Sequence, residues 1–260
     1  MTVTTAIQRA PHFDCAGPTG APVIVCIHGA AWTRVSWLPQ MEALADACRV
    51  VALDLPGHGA RASEPFTMRA ALDAVNEAIS AGSSAAADGR ALLVGLSLGG
   101  YVAMAYAARA PERVRGLVLS GCTIVYRGAI GTLSRLDALI VTRLLSARRL
   151  ASMQARSVRA MLPEPLADAQ IAGGFNFGAM PAVYRELGRC DFDALLGTYP
   201  GPSLILNGAD DWLNRRGEAR QAAAARNARI EIIPGAGHLC NLQQPEAFTA
   251  AVRGFAEALA

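Results

Sequence analysis

The 260-residue sequence contains no lysine, because all 24 of its basic residues are arginine. This absence excludes mechanisms in which a lysine amine forms a Schiff base with a carbonyl substrate. A strong excess of one charge is also lacking, since 21 acidic residues leave a net charge of only +3. So small an excess predicts no nucleic-acid partner.

Long hydrophobic runs and metal-type cysteine spacings are missing as well. No apolar run approaches the roughly 20 residues that a membrane-spanning helix needs, although 52% of the residues are hydrophobic. The first nine residues have neither the basic start nor the apolar stretch of a signal peptide. We therefore expect a cytoplasmic protein with no membrane partner. The six cysteines show no Cys-x-x-Cys spacing and no pairing with histidine, so they predict no bound metal.

Short, almost continuous apolar runs alternate with helical segments along the chain. Such runs are typical of parallel strands that are buried on both faces. The predicted strands are 23–27, 50–53, 91–96, 114–119, 203–206 and 230–233. The predicted helices among them are 38–47, 69–81, 98–110, 217–225 and 245–259. This alternation predicts an α/β fold with a doubly wound, mostly parallel sheet.

Residues 123–198 break this alternation. A long helix is predicted over 133–161 and is ended by prolines at 163 and 165. A loop at 173–178 and short helices at 180–187 and 192–196 follow. We interpret 123–198 as a helical cap inserted into a core formed by 1–122 and 199–260. The alternative is an elaboration with no role in substrate choice.

The segment around Ser97 has the pattern of a nucleophile. Ser97 lies in a Gly-x-Ser-x-Gly frame with Gly95 and Gly99, directly after a predicted strand and before a predicted helix. This context is typical of a nucleophile elbow, a strained turn that exposes the serine hydroxyl at the end of a sheet. The pattern predicts that Ser97 attacks a carbonyl carbon.

A second strand end carries the sequence His28-Gly29-Ala30. Because glycine permits a tight turn, the backbone N–H of Ala30 can point at a substrate oxygen. Together with the N–H of Leu98, it is expected to form an oxyanion hole. His28 itself is expected to brace this loop.

The remaining strand ends offer an acid and a base. Asp210 and Asp211 both follow a predicted strand, and either could orient a catalytic imidazole; Asp210 fits better as a turn residue. Among the four histidines, elimination and position favour His238 as the general base.

With these motifs the chain resembles the α/β-hydrolase superfamily, in the compact branch with a helical cap, from about Val23 onward. The order serine, aspartate, histidine agrees with that superfamily. Its triad acid usually lies three residues after a glycine, so the resemblance favours Asp211, which follows Gly208 in this way. The resemblance implies a triad of Ser97, Asp211 and His238 that needs no metal and no organic cofactor.

The resemblance implies hydrolysis of a small carboxylic ester or related acyl bond through an acyl-enzyme. Lactone, thioester or C–C bond hydrolysis, a lyase step and a perhydrolase activity use the same groups and stay open. A non-catalytic ligand-binding protein of this fold is a further alternative. Trp32 and Trp212 flank the predicted site and could contact substrate or pack between core and cap. The sequence makes no prediction of oligomeric state.

Overall fold

Eight strands form one sheet in the computed structural model, which describes residues 6–83 and 88–259. Residues 1–5, 84–87 and 260 lie outside the described residues. The first of these ranges includes part of the nine-residue segment considered above for a signal peptide. The strands are β1 (Gln8–Arg9), β2 (Phe13–Ala16), β3 (Val23–Ile27), β4 (Arg49–Leu53), β5 (Ala91–Leu96), β6 (Val114–Ser120), β7 (Ser203–Gly208) and β8 (Ala228–Ile233). Their order across the sheet is β1-β2-β4-β3-β5-β6-β7-β8.

The strands from β3 to β8 run parallel, whereas β2 pairs antiparallel with β4 and β1 pairs antiparallel with β2. All residues of β3 are buried because both faces of the sheet are covered. Val23, Val25 and Ile27 contribute to the core on one face, and Ile24 and Cys26 contribute to the core on the other. The doubly wound, mostly parallel α/β sheet is therefore confirmed.

Helices form a layer on each side of this sheet. The α-helices of the described residues are α1 (Leu38–Leu44), α2 (Met68–Gly82), α3 (Leu98–Arg109), α4 (Ala129–Leu144), α5 (Ala147–Met161), α6 (Glu164–Gly173), α7 (Met180–Leu187), α8 (Phe192–Thr198), α9 (Trp212–Arg215), α10 (Glu218–Ala224), α11 (Cys240–Gln243) and α12 (Pro245–Glu257). One core contains residues of α2, α3 and α8, and the other contains residues of α1 and α12. None of the helices in the described ranges has the length and hydrophobicity needed to cross a bilayer.

The helices α4 to α8 are inserted between β6 and β7. Within this insertion α4 packs on α7 and α5 packs on α6, while α8 returns to the core and packs on α3. The regular elements of the insertion are therefore helices joined by loops, and the insertion is connected to the sheet at both ends. Its division from the core as a separate cap stays a prediction.

The single helix predicted over 133–161 is wrong. The chain is extended at Leu145 (φ −112°, ψ 131°), so α4 ends there and α5 begins after Ser146. The Ser146 hydroxyl accepts a hydrogen bond from the Arg149 N–H (3.3 Å) and caps α5. Because the apolar periodicity continues on both sides of this break, it conceals the end of α4.

Five elements are missing from the sequence prediction: β1, β2, α6, α9 and α11. Strand β2, which lies between the short edge strand β1 and β4, includes the polar Asp14 and is only half-buried at its start, so it lacks an apolar run. Helix α6 has Pro165 in its first turn, where the missing N–H has no intrahelical acceptor to lose. The prolines that follow α5 thus also begin α6, which fills a stretch without a predicted element and ends at Gly173, the first residue of the predicted loop. Elsewhere the observed bounds differ from the predicted ones by no more than three residues.

Helix α3 lies unusually close to β3 at Gly99. A Cβ at this position would collide with the backbone carbonyl of Ile27. Backbone cannot move aside as a flexible side chain can, so the close approach requires glycine. Gly254, in the exposed part of α12, has no atom within 4 Å of the same position and is a matched comparison.

We expect Gly99→Ala to lower the free energy of unfolding by about 3 kcal/mol or more, because the methyl group forces α3 away from β3. Gly254→Ala should raise it by up to about 1 kcal/mol, because alanine favours the helix. Urea unfolding of both variants measures the two changes. A Gly99→Ala protein as stable as the wild type would contradict the close approach.

Candidate active site

Ser97 occupies the turn between β5 and α3. Its φ of +53° lies in the left-handed region, which costs a residue other than glycine about 1–3 kcal/mol. The Ser97 N–H donates to the carbonyl of Ser120 at the end of β6 (2.7 Å). A Cβ on Gly95 would collide with the backbone of Gly99, so both glycines of the frame are needed. The strained strand–turn–helix geometry of a nucleophile elbow is therefore present.

The loop after β3 lies directly beside this serine. A Cβ placed on Gly29 would be 3.4 Å from the Ser97 Cβ. Ala31, two residues on, also has a left-handed φ (+65°). Among the described residues, no hydrogen-bond acceptor is found for the N–H of Ala30 or of Leu98. Two unpartnered N–H groups thus lie on the two segments that meet at Ser97.

His28 is buried and its ring nitrogens are both engaged. Nε2 accepts a hydrogen bond from the Leu55 N–H (3.0 Å), which leaves the proton on Nδ1 to donate to the Gly29 carbonyl (2.8 Å). Burial lowers the pKa of His28, against the opposing charge of Asp54. His28 is therefore neutral, and it holds the turn before Ala30.

His238 and Asp211 form a hydrogen-bonded pair, with 2.7 Å between Nδ1 and Oδ2. The imidazole lies over Gly121, where a Cβ would be 2.6 Å from its Cε1 atom. Gly121 directly follows Ser120, whose carbonyl holds the Ser97 N–H. The pair thus lies beside the elbow, although no hydrogen bond joins Ser97 to His238 in the described structure.

The two adjacent aspartates after β7 have different surroundings. Asp210 is an exposed turn residue, whereas Asp211 is 7% exposed and faces His238. A Cβ on Gly208 would collide with the carbonyl of Ala236, and the Asp210 N–H donates to that same carbonyl (2.8 Å). The loops that carry the aspartate and the histidine are therefore locked together by backbone contacts.

Asn214 is the residue of this site that the sequence analysis missed. Its Oδ1 accepts from the Thr123 N–H (3.0 Å), so its Nδ2 must face Asp211, where it donates to both carboxylate oxygens (3.1 and 2.9 Å). Asn214 is 2% exposed. A polar side chain three residues after a helix-capping aspartate is the one local signal for it.

Opposing effects set the protonation of Asp211. Burial raises the pKa of this carboxyl, but the hydrogen bonds from His238 and Asn214 outweigh burial and lower the pKa below its ordinary value of 3.8. Asp211 is therefore ionised at neutral pH and accepts the Nδ1–H of His238. This tautomer leaves the Nε2 lone pair of the imidazole free.

The two tryptophans lie in different environments. Trp32 is 8% exposed and packs edge-to-face on Phe175 of the insertion, with ring centroids 5.2 Å apart. Trp212 is 61% exposed and lies under the guanidinium of Arg216. Trp32 therefore packs between sheet and insertion, whereas Trp212 faces solvent.

The inserted helices also contact the loop beside Ser97. The Asn176 N–H donates to the Ala31 carbonyl (3.1 Å), and its side-chain amide donates to the Gly57 carbonyl (2.6 Å). The first bond ties the strained Ala31 to the insertion, and the second ties the loop after β4 to it. No group of three or more His, Cys, Asp or Glu side chains within the described ranges is arranged to hold a metal ion.

Comparison with known proteins identifies the family. Residues 24–251 match the sequence profile described as Alpha/beta hydrolase family. The chain belongs to this family. Ser97, Asp211 and His238 all lie within the matched residues.

Relatives of this α/β hydrolase include several enzymes. It is 30% identical to a pimeloyl-[acyl-carrier protein] methyl ester esterase of Neisseria meningitidis, over 92% of this chain and 95% of that one. It is 28% identical to a dihydrolipoyllysine-residue acetyltransferase component of an acetoin cleaving system from Pseudomonas putida, over 90% of this chain but 63% of that protein. A thermophilic esterase from Thermogutta terrifontis superposes with a TM-score of 0.75 at 26% identity, over 100% of this chain and 98% of that one.

We expect Asn214→Leu to raise the pKa of Asp211, because the variant removes two hydrogen bonds that stabilise the ionised carboxylate. The stability contributed by ionised Asp211 is present above pH 3.8, its ordinary value, and is lost as pH falls through the lower folded pKa. The variant should therefore lose part of this contribution at neutral pH. Carboxyl ¹³C NMR measures the titration.

Asn207→Leu is the matched control for this titration. Asn207 is equally buried and pairs with the Gly121 N–H (2.7 Å) and with Glu218 (2.9 Å), but not with Asp211. Both variants should lower the free energy of unfolding. An unchanged Asp211 titration in Asn214→Leu would contradict the role of this amide.

Proposed function

We propose that this α/β hydrolase cleaves small carboxylic esters with Ser97 as nucleophile, His238 as general base and Asp211 as the acid of the triad. The observation that carries the proposal is the 2.7 Å contact between Asp211 and His238. A buried, ionised carboxylate orients the imidazole there, next to a strained serine. A protein that only binds a ligand needs no such pair.

The proton transfers follow from the tautomer of His238. Nδ1–H is held by Asp211, so Nε2 accepts the hydroxyl proton of Ser97 as its oxygen attacks the ester carbonyl. The resulting imidazolium is stabilised by the charge of Asp211 and then protonates the leaving alcohol. A water molecule, deprotonated by Nε2, then attacks the acyl-enzyme. The bond to the Ser97 oxygen breaks, the imidazolium returns its proton to that oxygen, and the acid is released.

The negative charge that forms on the carbonyl oxygen needs donors that are already in place. The N–H groups of Ala30 and Leu98 have no acceptor among the described residues and lie on the segments that meet at Ser97. Each such donor contributes on the order of 3 kcal/mol to stabilisation of the transition state. We therefore assign these two N–H groups to the oxyanion hole.

The esterase names of two similar proteins support the ester as substrate class. The helices inserted between β6 and β7 support a cap of residues 123–198 on a core of 1–122 and 199–260. Trp32, packed on Phe175 of the insertion, then contributes to the boundary between core and cap. The exposed Trp212 is free to contact a substrate at the surface.

Ser97→Ala should abolish hydrolysis of p-nitrophenyl acetate, with a decrease in kcat of about 10⁶-fold, because no other group can form the acyl-enzyme. The wild type should be labelled by a fluorophosphonate probe and the variant should not. Circular dichroism and thermal unfolding check that the variant is folded. Wild-type-like turnover by the folded variant would refute the assignment of the nucleophile.

A series of p-nitrophenyl esters of increasing acyl length then tests the substrate class. Labelling by the probe without hydrolysis of any ester would favour the C–C bond hydrolase or lyase alternatives. Absence of both labelling and hydrolysis would favour a ligand-binding protein.

The two neighbouring aspartates give a matched pair for the triad acid. Asp211→Asn should lower kcat by about 10⁴-fold, because the amide favours the wrong tautomer of His238. Asp210→Asn should leave kcat nearly unchanged, since its side chain is exposed in the turn. Steady-state kinetics on one activated ester distinguishes them, and equal losses in both variants would contradict the assignment.

A further inference from the structure

Helix α4 exposes a row of aliphatic side chains. We call the following residues the α4 stripe: Ile130, Leu133, Leu136, Ile140 and Leu144. They are 47–76% exposed. Their spacing of three or four residues places them on one side of the helix, along roughly 21 Å of its axis at about 1.5 Å per residue.

The α4 stripe lies away from the contact between α4 and the rest of the protein. The residues of α4 that are buried are Gly131 and Ala138, and this side packs on α7. The stripe points in a different direction around the helix, so packing within the fold does not explain it. An exposed apolar surface of this extent is typical of an interaction site.

Positive charge is concentrated on α4 and on α5, the next helix along the chain. Residues 129–161, which include α4 and α5, contain six arginines and one aspartate, a net charge of +5. The whole chain has a net charge of +3, so the remainder is net negative, at −2. The partner that complements this segment is therefore anionic.

Five of these arginines are available to such a partner. Arg159 pairs with Asp168 (2.8 Å). The others have no carboxylate within 4 Å among the described residues, and all are exposed: Arg135, Arg143, Arg148, Arg149 and Arg156. These arginines neutralise no carboxylate within the described structure, so the fold itself does not account for their charge.

The composition of this surface favours a lipid surface over a protein. Residues 129–161 contain no tryptophan, tyrosine or phenylalanine. Protein interfaces are enriched in these aromatic anchors, whereas a basic amphipathic helix with an aliphatic face is typical of binding to anionic membranes. Met153 and Met161 on α5 are also exposed and add no aromatic ring.

We propose that α4 and α5 dock on an anionic phospholipid surface, with the α4 stripe among the acyl chains and the arginines at the headgroups. This revises the expectation of no membrane partner, which followed from the absence of a spanning segment. Binding in the interface requires no spanning segment, only an exposed amphipathic helix. The proposal does not depend on the reaction at Ser97.

Co-sedimentation with lipid vesicles tests the proposal on the full chain. The protein should bind vesicles of phosphatidylcholine mixed with phosphatidylglycerol, bind phosphatidylcholine alone far more weakly, and lose affinity as salt is raised. Arg148→Gln, Arg149→Gln and Arg156→Gln combined should weaken binding roughly a hundredfold, at about fivefold for each arginine. Leu133→Ser with Leu144→Ser should weaken it at all salt concentrations.

The charge-matched control replaces three exposed arginines elsewhere, at positions 69, 109 and 229, with glutamine. This control should bind as the wild type does, and thermal unfolding should show all variants folded. Equal binding by the two triple variants, or no binding to anionic vesicles, would overturn the proposal.

Two other kinds of partner would give different results, and either result would overturn the proposal of a lipid surface. Retention on immobilised polyglutamate without vesicle binding would indicate an acidic protein. A dimer in analytical ultracentrifugation that dissociates on Leu133→Ser with Leu144→Ser, without vesicle binding, would indicate a second copy of this chain.

Discussion

At the carboxyl edge of the sheet, backbone segments approach one another more closely than any side chain would permit. A Cβ on Gly99 would collide with the Ile27 carbonyl, and a Cβ on Gly208 would collide with that of Ala236. The first contact joins the turn after β5 to the end of β3, and the second joins the end of β7 to the loop after β8. The candidate catalytic groups come together because glycine has no side chain at these points. The distances between these groups depend on this close approach of the backbone.

Close approach sets the positions of the groups but not their chemical state. That state follows from a directional set of hydrogen bonds in which the Thr123 N–H donates to Asn214, and Asn214 and His238 both donate to Asp211. If the Asn214 amide were reversed, the Thr123 N–H would lose the Oδ1 acceptor. The Asn214 oxygen would then face the carboxylate oxygens of Asp211 and repel them. The only low-cost arrangement keeps Asp211 ionised and the Nε2 lone pair of His238 available.

The sequence predicts those parts of the site that have a local pattern. Ser97 and His238 follow apolar strands and are surrounded by glycine, so their positions at strand ends can be read from neighbours in the chain. Asn214 could not be found in this way, because the partner that orients it, Thr123, is 91 residues away. The same limit applies to β2, whose strand conformation depends on pairing with β4 rather than on an apolar run. Residues positioned by distant partners carry little local signal.

The insertion connects an exposed surface to the loop beside Ser97. Helix α4 packs on α7, α7 contacts the turn at 177–179, and Asn176 immediately before this turn donates to the Ala31 carbonyl. A chain of contacts between two sites does not by itself couple them. Coupling requires an element with two conformations whose equilibrium is shifted by a ligand. A partner docked on α4 therefore alters kcat only if it displaces Asn176 from Ala31. If Asn176 stays in place, docking changes the local concentration of an ester in the docked surface, and hence the apparent KM, while the chemistry at Ser97 proceeds unchanged.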